Sequence, residues 1–192
     1  MEKKEEAIIN SSFKEFSRYG FDKTSISDIY RTAKISKGLV YYYFRDKKDL
    51  YLKSLIYAIS KVTSEIDKYD FSSLDFLSRI ANITVVKLEF FLKHSDLMNF
   101  LESSSKESSS EVLSDVQKIL KENYVNNIKK IEEMINYDSI EVGIEKSKII
   151  DIINFTFSGA YKKASMLENE IDRKNLIYSY KDILIKLLYR KR

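Results

Sequence analysis

Two short helix signals separated by a tight turn constrain this chain more than any other feature. Ser25 and Asp28 have the spacing of a capping box, in which each side chain pairs with a backbone N–H of the first helical turn. Ser36 is placed to cap a second helix only a few residues later. An apolar set with the spacing of one helix face follows the first cap: Ile26, Ile29, Tyr30 and Ala33. Two short helices with so tight a turn predict a helix-turn-helix unit.

The second of these helices has one apolar side and one side suited to a phosphate-lined groove. Val40 and Phe44 are four residues apart and share the inner face, with Tyr43 beside them. Hydroxyl and ammonium groups donate hydrogen bonds to phosphate oxygens, and glycine lets the backbone approach closely. The outer face is predicted to carry Lys37, Gly38, Leu39, Tyr41 and Tyr42.

A third helix is predicted to begin at Asp46, with Lys47 and Lys48 in its first turn. Helix-start amides together with lysine charge can bind an anion. The apolar pattern continues without glycine or proline to about Ile66, so we expect a stiff connector that transmits motion from the rest of the chain.

The remainder of the chain predicts helices throughout. A first helix is expected before the motif, and Gly20 is expected to end it in a left-handed conformation. Gly143 falls in a turn, and Gly159 lies inside a helix, where it costs about 1 kcal/mol and favours close approach of another helix. Besides the motif helices, the predicted helices span residues 4–19, 72–94, a short segment near 97–101, 112–137, 145–167 and 172–191.

Two local features allow more than one interpretation. The serine-rich run at residues 103–110 is most simply a flexible surface loop, and the alternative is a mobile portal to a cavity. His94 ends a helix rich in buried aromatic residues. It can cap carbonyl groups there, which we favour, or hydrogen-bond a ligand.

Composition narrows the class of protein. The 192 residues include no cysteine and no proline, and no apolar run is long enough to span a bilayer, so we expect a cytoplasmic protein. Residues 1–62 hold 13 Lys and Arg against 8 Asp and Glu, so the basic excess lies with the helix-turn-helix unit. This distribution fits contact with nucleic acid, although a solvated charged surface would give the same count.

The sequence offers no catalytic arrangement that depends on cysteine or on paired histidines. With one histidine and no cysteine, the chain offers neither a cluster with metal-ligand spacing nor a nucleophile with a paired base. The four glycines are isolated, so there is no phosphate-binding loop. We expect a protein that is not an enzyme and has no cofactor.

Sixteen residues match the pattern of a known DNA-binding domain in order and without a gap: Ile8, Ile9, Phe16, Gly20, Phe21, Thr24, Asp28, Ile29, Ala33, Ser36, Lys37, Gly38, Tyr41, Phe44, Lys47 and Leu50. Through them, residues 8–54 resemble the DNA-binding domain of the TetR family of bacterial transcriptional regulators. Tyr30 and Lys34 depart from the family pattern, which usually has a small residue and a turn glycine there, and Leu39 stands where threonine is frequent.

The resemblance implies an all-α fold of about nine helices in two domains. Residues 1–48 would form a three-helix, helix-turn-helix DNA-binding domain, and residues 49–192 a helical ligand-binding and dimerisation domain. The DNA contacts expected from the outer face and the resemblance together are Thr24, Ser25, Ser36, Lys37, Gly38, Leu39, Tyr41, Tyr42 and Lys47.

The second domain would hold a ligand pocket and, on its last two helices, a dimer interface. For each aromatic residue taken alone, core packing is the simpler interpretation. The pocket candidates are Phe90, Phe91, His94, Phe100, Tyr124, Asn127, Phe155, Phe157 and Tyr161. The dimer candidates are Ile149, Ile153, Tyr180, Ile183, Leu184, Leu187 and Leu188.

These features together predict a homodimer that binds a palindromic DNA operator, represses transcription, and is released by a small, largely apolar effector. One alternative keeps the fold and the DNA binding but makes the signal a protein partner. The other, a helical enzyme or membrane-surface protein, is disfavoured by the missing catalytic groups and by the position of the basic charge.

Overall fold

The computed structural model describes residues 2–137, 140 and 144–189. An isolated antiparallel bridge joins Ile140 and Tyr189. Within these residues the chain is all-helical, and its helices are α1 (Lys3–Lys23), α2 (Ile26–Thr32), α3 (Lys37–Tyr43), α4 (Lys47–Ile66), α5 (Phe76–Lys93), α6 (Ser95–Ser104), α7 (Leu113–Met134), α8 (Lys146–Ala164) and α9 (Glu170–Leu188). The all-α class and the number of helices are as predicted. Gly143 and Lys191 lie outside the described residues.

One helix boundary that differs from expectation is the one at Gly20. Its φ of 73° is positive, as predicted, but its ψ of 175° lies outside the left-handed helical region, and the helical path breaks there. Glycine has no Cβ and adopts a positive φ without steric cost. Helical turns then resume up to Lys23. The break changes the direction of the chain just before α2 begins.

The chain divides into two compact units. Unit 1 consists of Met1–Thr63 and Lys93–Asn123, and unit 2 of Ser64–Leu92 and Tyr124–Arg192. The helix-turn-helix therefore packs in one unit with α6 and the start of α7. These units differ from the domains 1–48 and 49–192 expected from the sequence, and that boundary stays a prediction.

An aromatic cluster forms the centre of unit 1. The Tyr51 ring lies edge-on to Phe16, with ring centroids 4.7 Å apart, and edge-on to Phe21 at 5.4 Å. Phe100 of α6 completes the cluster, 5.3 Å from Tyr51 and 5.1 Å from Phe13. Such pairs contribute about 0.5–1.5 kcal/mol each beyond the burial of their area. These contacts join α1, α4 and α6.

The serine-rich run is part of this packing, which corrects the expectation of a flexible loop or a mobile portal. Ser104 and Ser109 are buried. The Tyr51 hydroxyl donates to Ser104 Oγ at 3.1 Å, and Ser109 Oγ donates to Asp22 Oδ1 at 2.6 Å. Composition suggested flexibility because short polar side chains have little apolar area to bury, but here their hydroxyls pair with groups of α1 and α4.

Glu107 is the centre of the hydrogen bonding in this segment. Its Oε2 accepts from the backbone N–H of Phe21 and from the Tyr51 hydroxyl, both at 3.3 Å. Its Oε1 accepts from the N–H groups of Ser108 and Ser109 at 2.8 and 2.9 Å. One carboxylate therefore links the chain after the Gly20 break, α4 and the serine-rich run.

Unit 2 is built around α5, α8 and α9. Its apolar core includes Leu77, Leu88, Ile153, Ile177 and Leu184, each almost fully buried. Of the helices in the described residues, none is long and apolar enough to cross a membrane.

Polar contacts tie the three helices of unit 2 together. Arg173 of α9 donates to both carboxylate oxygens of Glu89 on α5, at 2.9 and 3.2 Å, and to the carbonyls of Leu167 and Glu168 after α8. The Tyr178 hydroxyl of α9 donates to Asn82 of α5 at 2.8 Å.

We expect Glu107→Gln to destabilise the protein by about 1 to 3 kcal/mol, because an amide has one acceptor oxygen where the carboxylate uses two. The urea midpoint of unfolding, followed by circular dichroism, measures the change. Glu111→Gln, at an exposed position four residues on, is the control and should leave the midpoint unchanged. Equal midpoints for both variants would show that the Glu107 carboxylate does not hold this segment.

Candidate nucleic-acid interface

The helix-turn-helix presents α3 with one face anchored and one face exposed. Val40 and Phe44 are buried, which confirms the predicted inner face. Tyr42 is 76% exposed and Tyr41 48% exposed. Lys37 and Gly38 are also exposed, whereas Leu39 is partly buried. The residues that could contact a groove therefore stand on a helix whose other side is fixed in the core.

The turn before α3 has a defined geometry. The predicted capping box is present at Ser25 and Asp28. At the other end of α2, the N–H of Ile35 donates to the Tyr30 carbonyl and the N–H of Lys34 to the Arg31 carbonyl, both at 3.1 Å. This is the Schellman arrangement, which requires a positive φ at its central residue. Lys34 adopts a φ of 55°, at the position where the resemblance implies a glycine.

Local contacts orient the exposed side chains of α3. Ser36 caps the helix, its Oγ accepting from the N–H of Leu39 at 3.3 Å. The Lys37 ammonium lies 5.8 Å from the Tyr41 ring centroid, and the Tyr42 ring lies edge-on to Tyr43 at 4.9 Å. The first contact holds a cation beside a phenol ring, and the second packs the exposed Tyr42 ring against Tyr43.

Tyr43 connects α3 to the start of the chain. Its hydroxyl donates to the carboxylate of Glu2, and this bond raises the pKa of Tyr43 to about 12. Tyr43 therefore stays a protonated donor at neutral pH, and its hydroxyl is already paired within the protein.

Two predicted DNA contacts have structural roles. Thr24 is buried, and its hydroxyl contacts the carbonyls of Gly20 at 2.8 Å and Glu15 at 3.2 Å. Its side chain therefore closes the end of α1 and does not face outward, which corrects its assignment as a contact. The Ser25 side chain is engaged in the capping box with Asp28.

The cations after α3 are also engaged within unit 1. The Lys47 ammonium donates to the carbonyl of Phe21 at 2.9 Å and lies 4.2 Å from that ring's centroid. Lys48 forms an ion pair with Asp115 at 2.7 Å. Lys47 is thus partly engaged within unit 1, and its predicted phosphate contact stays a prediction.

Arg45 is the basic residue beside α3 that the sequence reasoning missed. Its side chain is 85% exposed, and its guanidinium lies 3.6 Å from Asp49, which also pairs with Lys53 at 2.9 Å. An exposed guanidinium suits phosphate oxygens. The sequence shows an arginine after Phe44 but does not distinguish it from the neighbouring lysines. The structure does, because Lys47 and Lys48 have partners within unit 1 whereas the Arg45 side chain is largely exposed.

The candidate pocket residues are divided between the two units. Phe100 is buried in the aromatic cluster of unit 1, and His94 is exposed at the N-cap of α6, where its side chain makes no capping hydrogen bond. In unit 2, Phe157 belongs to the core, whereas the side chains of Tyr124, Asn127 and Phe155 are exposed. The nine-residue pocket stays a prediction.

Three of the pocket candidates do come together. The Phe91 ring of α5 lies edge-on to Tyr161 of α8, with centroids 6.3 Å apart, and the Phe90 and Phe91 ring centroids are 5.9 Å apart.

An open cleft of about 600 Å³ lies between α1 and α6 in unit 1. Its lining includes Lys14, Arg18, Asp96, Glu102 and Lys106, none of which was a pocket candidate.

Four of the predicted dimer residues are occupied within the protomer. Ile149, Ile153, Leu184 and Leu188 lie in the core of unit 2, so their side chains cannot contact a second copy. Amphipathic spacing does not distinguish an intramolecular face from an intermolecular one, which is the reason for this error. The remaining predicted residues are Ile183 and Leu187, which are exposed, and Tyr180, which is partly buried.

Exposed apolar side chains also lie on α8. On α8, Phe155 is 76% exposed and Ile152 is 36% exposed. Gly159 follows Phe155 at four residues, and a Cβ placed on it would meet nothing within 4 Å. Among the described residues, none packs closely against this glycine.

The fold and the site define an all-helical protein that presents a helix-turn-helix. Residues 8–53 match the family model described as "Bacterial regulatory proteins, tetR family". The amino-terminal domain is therefore that of the TetR family, and the all-helical fold matches solved structures of TetR-family regulators.

Two curated relatives and one solved structure show the extent of the likeness. The chain is 31% identical to "Uncharacterized HTH-type transcriptional regulator YuxN" of Bacillus subtilis over 121 residues, which cover 63% of this chain and 40% of that protein. It is 24% identical to the Staphylococcus epidermidis "Biofilm operon icaADBC HTH-type negative transcriptional regulator IcaR" over 194 residues, covering 93% and 97%. The Bacillus subtilis transcriptional regulator FadR, solved in complex with stearoyl-CoA, has a TM-score of 0.66 at 19% identity, with 94% and 97% covered. The alignment with YuxN thus spans less than half of that relative's length.

We expect Lys34→Gly to stabilise the protein by about 1 kcal/mol, because glycine has no Cβ to strain the positive φ at this turn. The urea midpoint measures the change. Lys34→Ala removes the same charge but keeps a Cβ, so it should not reproduce the gain. Equal stabilisation by both variants would attribute the effect to charge rather than to backbone conformation.

Proposed function

We propose that the chain is a ligand-responsive transcriptional regulator of the cytoplasm that binds an operator in double-stranded DNA as a homodimer and represses transcription. The observation that carries the proposal is the outer face of α3. It presents Lys37, Tyr41 and Tyr42 to solvent while Val40 and Phe44 hold the helix in the core. A short helix is suited to a major groove when its inner face is buried and its outer face carries a cation and phenol groups.

In the proposed complex, the side chains of this region divide into two groups. Lys37, the tyrosine hydroxyls and Arg45 donate to phosphate oxygens and position the protein. Leu39, early in α3, is the residue placed to contact base edges, where an apolar side chain favours the methyl group of thymine. Arg45 adds to the contacts expected from the sequence because its guanidinium is exposed.

A second copy of the chain is needed to cover the exposed apolar set of α8 and α9. We call α3 the recognition helix. Two-fold pairing would bring the recognition helices of the two copies to successive major grooves about 34 Å apart. We propose an interface formed by Ile152, Phe155, Ile183 and Leu187, with Gly159 allowing close approach of the partner helix. A contiguous apolar patch of this kind is unusual on a monomer.

The proposed effector is a small, largely apolar molecule. Support comes from the aromatic contact between Phe91 and Tyr161 in unit 2 and from the likeness of fold to FadR, whose structure holds stearoyl-CoA. The effector would release the operator by binding better to a conformation in which the recognition helices have another separation. A protein signal remains the second candidate, because Phe157 and its neighbours form a packed core.

DNA binding is tested with a duplex carrying the sequence upstream of the chain's own gene, by fluorescence anisotropy over a series of salt concentrations. We expect Arg45→Ala to lower the slope of log affinity against log salt by about one, as the loss of one phosphate contact predicts. The control is Arg18→Ala, an exposed arginine of α1 beside the cleft with α6, which should keep the parent slope.

Equal slopes for the two arginine variants would remove Arg45 from the interface. If the parent protein bound neither this duplex nor unrelated duplexes at low salt, DNA binding itself would be excluded.

We expect the double variant Phe155→Lys, Leu187→Lys to be a folded monomer, because charge on exposed side chains disrupts an interface without disturbing the protomer core. Sedimentation velocity gives the mass, and circular dichroism verifies the helix content. Tyr124→Lys is the control, since Tyr124 is also exposed, at 58%, but lies on α7. A double variant that stays dimeric would place the interface elsewhere.

A further inference from the structure

Three consecutive tyrosines end α3, and the structure treats their hydroxyls differently. Within the part of the chain that the structure describes, the hydroxyls of Tyr41 and Tyr42 have no hydrogen-bond partner, and both side chains are exposed. The Tyr43 hydroxyl, in contrast, donates to the carboxylate of Glu2. Two of the three hydroxyls are therefore available to a ligand, whereas the third is held by a residue outside α3.

The bond between Tyr43 and Glu2 joins distant parts of the chain. Glu2 is the N-cap residue of α1, 41 positions before Tyr43, and its side chain makes no capping hydrogen bond with its own helix. The carboxylate thus serves α3 rather than α1. An exposed hydrogen bond between two side chains adds little to stability, because water can replace either partner. Orientation of Tyr43 is the effect that remains to be explained.

The chain just after Tyr43 is fixed from another side. The N–H of Arg45 donates to the carboxylate of Asp49 on α4 at 3.1 Å. The Lys53 ammonium, also on α4, lies 5.3 Å from the ring centroid of Phe44. Tyr43 is therefore held through its side chain by the start of α1 and through the residues that follow it by α4.

Tyr42 packs against this fixed residue. Its ring lies edge-on to the Tyr43 ring, with centroids 4.9 Å apart and 89° between the ring planes, a favoured geometry for an aromatic pair. A tyrosine that is 76% exposed has several rotamers open to it. Ordering one such side chain on binding lowers affinity by about two- to tenfold. A Tyr42 ring that is already held by Tyr43 avoids most of this loss.

We infer that Tyr43 and Glu2 are positioning residues for DNA binding: Glu2 holds the Tyr43 hydroxyl, and the fixed Tyr43 ring holds Tyr42 in the orientation in which its hydroxyl meets a phosphate oxygen. Tyr43 itself does not donate to the DNA in this arrangement, because its one hydroxyl proton is shared with Glu2. The inference rests on the proposed function, since it names two further residues that DNA binding requires.

The test measures affinity for the duplex upstream of the chain's own gene, by fluorescence anisotropy at one salt concentration. Tyr43→Phe keeps the ring and removes its bond to Glu2. Glu2→Ala and Glu2→Gln remove the same charge, but only glutamine keeps an oxygen that can accept from Tyr43. The control is Tyr57→Phe. It removes a bond of the same kind, from Tyr57 of α4 to Glu6 of α1 at 2.6 Å, and leaves α3 unchanged.

We expect Tyr43→Phe to bind about threefold more weakly than the parent, and Glu2→Ala about threefold more weakly than Glu2→Gln. Because the two residues act as one pair, adding Tyr43→Phe to Glu2→Ala should have no further effect. In a Tyr42→Ala protein, which has no ring to position, Tyr43→Phe should leave the affinity unchanged. Tyr57→Phe should bind like the parent, and circular dichroism verifies that every variant is folded.

The outcomes separate this inference from the proposed function. If Tyr43→Phe weakens binding equally with and without the Tyr42 ring, Tyr43 contacts the DNA directly, and the inference is wrong while DNA binding stands. Parent affinity in Tyr43→Phe, equal affinities of Glu2→Ala and Glu2→Gln, or an equal loss in Tyr57→Phe would overturn it as well. A parent protein that bound neither this duplex nor unrelated duplexes would overturn both the inference and the proposed function.

Discussion

The packing of Tyr51 is the interaction on which unit 1 depends. Its ring contacts Phe16 and Phe21 near the end of α1 and Phe100 of α6, and its hydroxyl contacts Ser104 and Glu107. Burial raises the pKa of Tyr51, so the hydroxyl remains a donor at neutral pH. One side chain of α4 thereby fixes the positions of three other segments.

This arrangement bears on how motion could reach the recognition helix. The sequence predicts that α4 is a stiff connector that transmits motion. In the structure, α4 also forms side-chain contacts with other helices of unit 1 at several positions. Ser54 contacts Ser12 of α1 at 2.8 Å, and Tyr57 and Lys61 both contact Glu6 at 2.6 and 3.0 Å. A displacement of α4 would therefore carry α1 with it, and α6 through Phe100, rather than rotate one helix past fixed neighbours.

Unit 2 combines a well-paired polar framework with exposed apolar side chains. Arg173 satisfies the carboxylate of Glu89 and the carbonyls after α8. Among the described residues, Phe155 of α8 and Leu187 of α9 are left largely exposed. A second copy of the chain, as proposed, would cover these side chains.

The sequence by itself determined the helical class, the helix order and the helix-turn-helix. Those features depend on local interactions: the capping box at Ser25, the cap at Ser36, the positive φ at Gly20 and the apolar spacing of Val40 and Phe44. Each involves residues within a few positions of one another, so the pattern and the physical cause are both visible in the chain.

Only the tertiary structure decided which polar and apolar groups are already occupied. Thr24, Lys47 and the serine-rich run are engaged within unit 1, while Ile149 and Leu184 fill the core of unit 2. Their partners lie on other helices, so no local pattern distinguishes them from residues such as Arg45 and Phe155, which face solvent. Helix periodicity shows that a face is apolar or charged, whereas the neighbour that covers it is set by the folding of the whole chain.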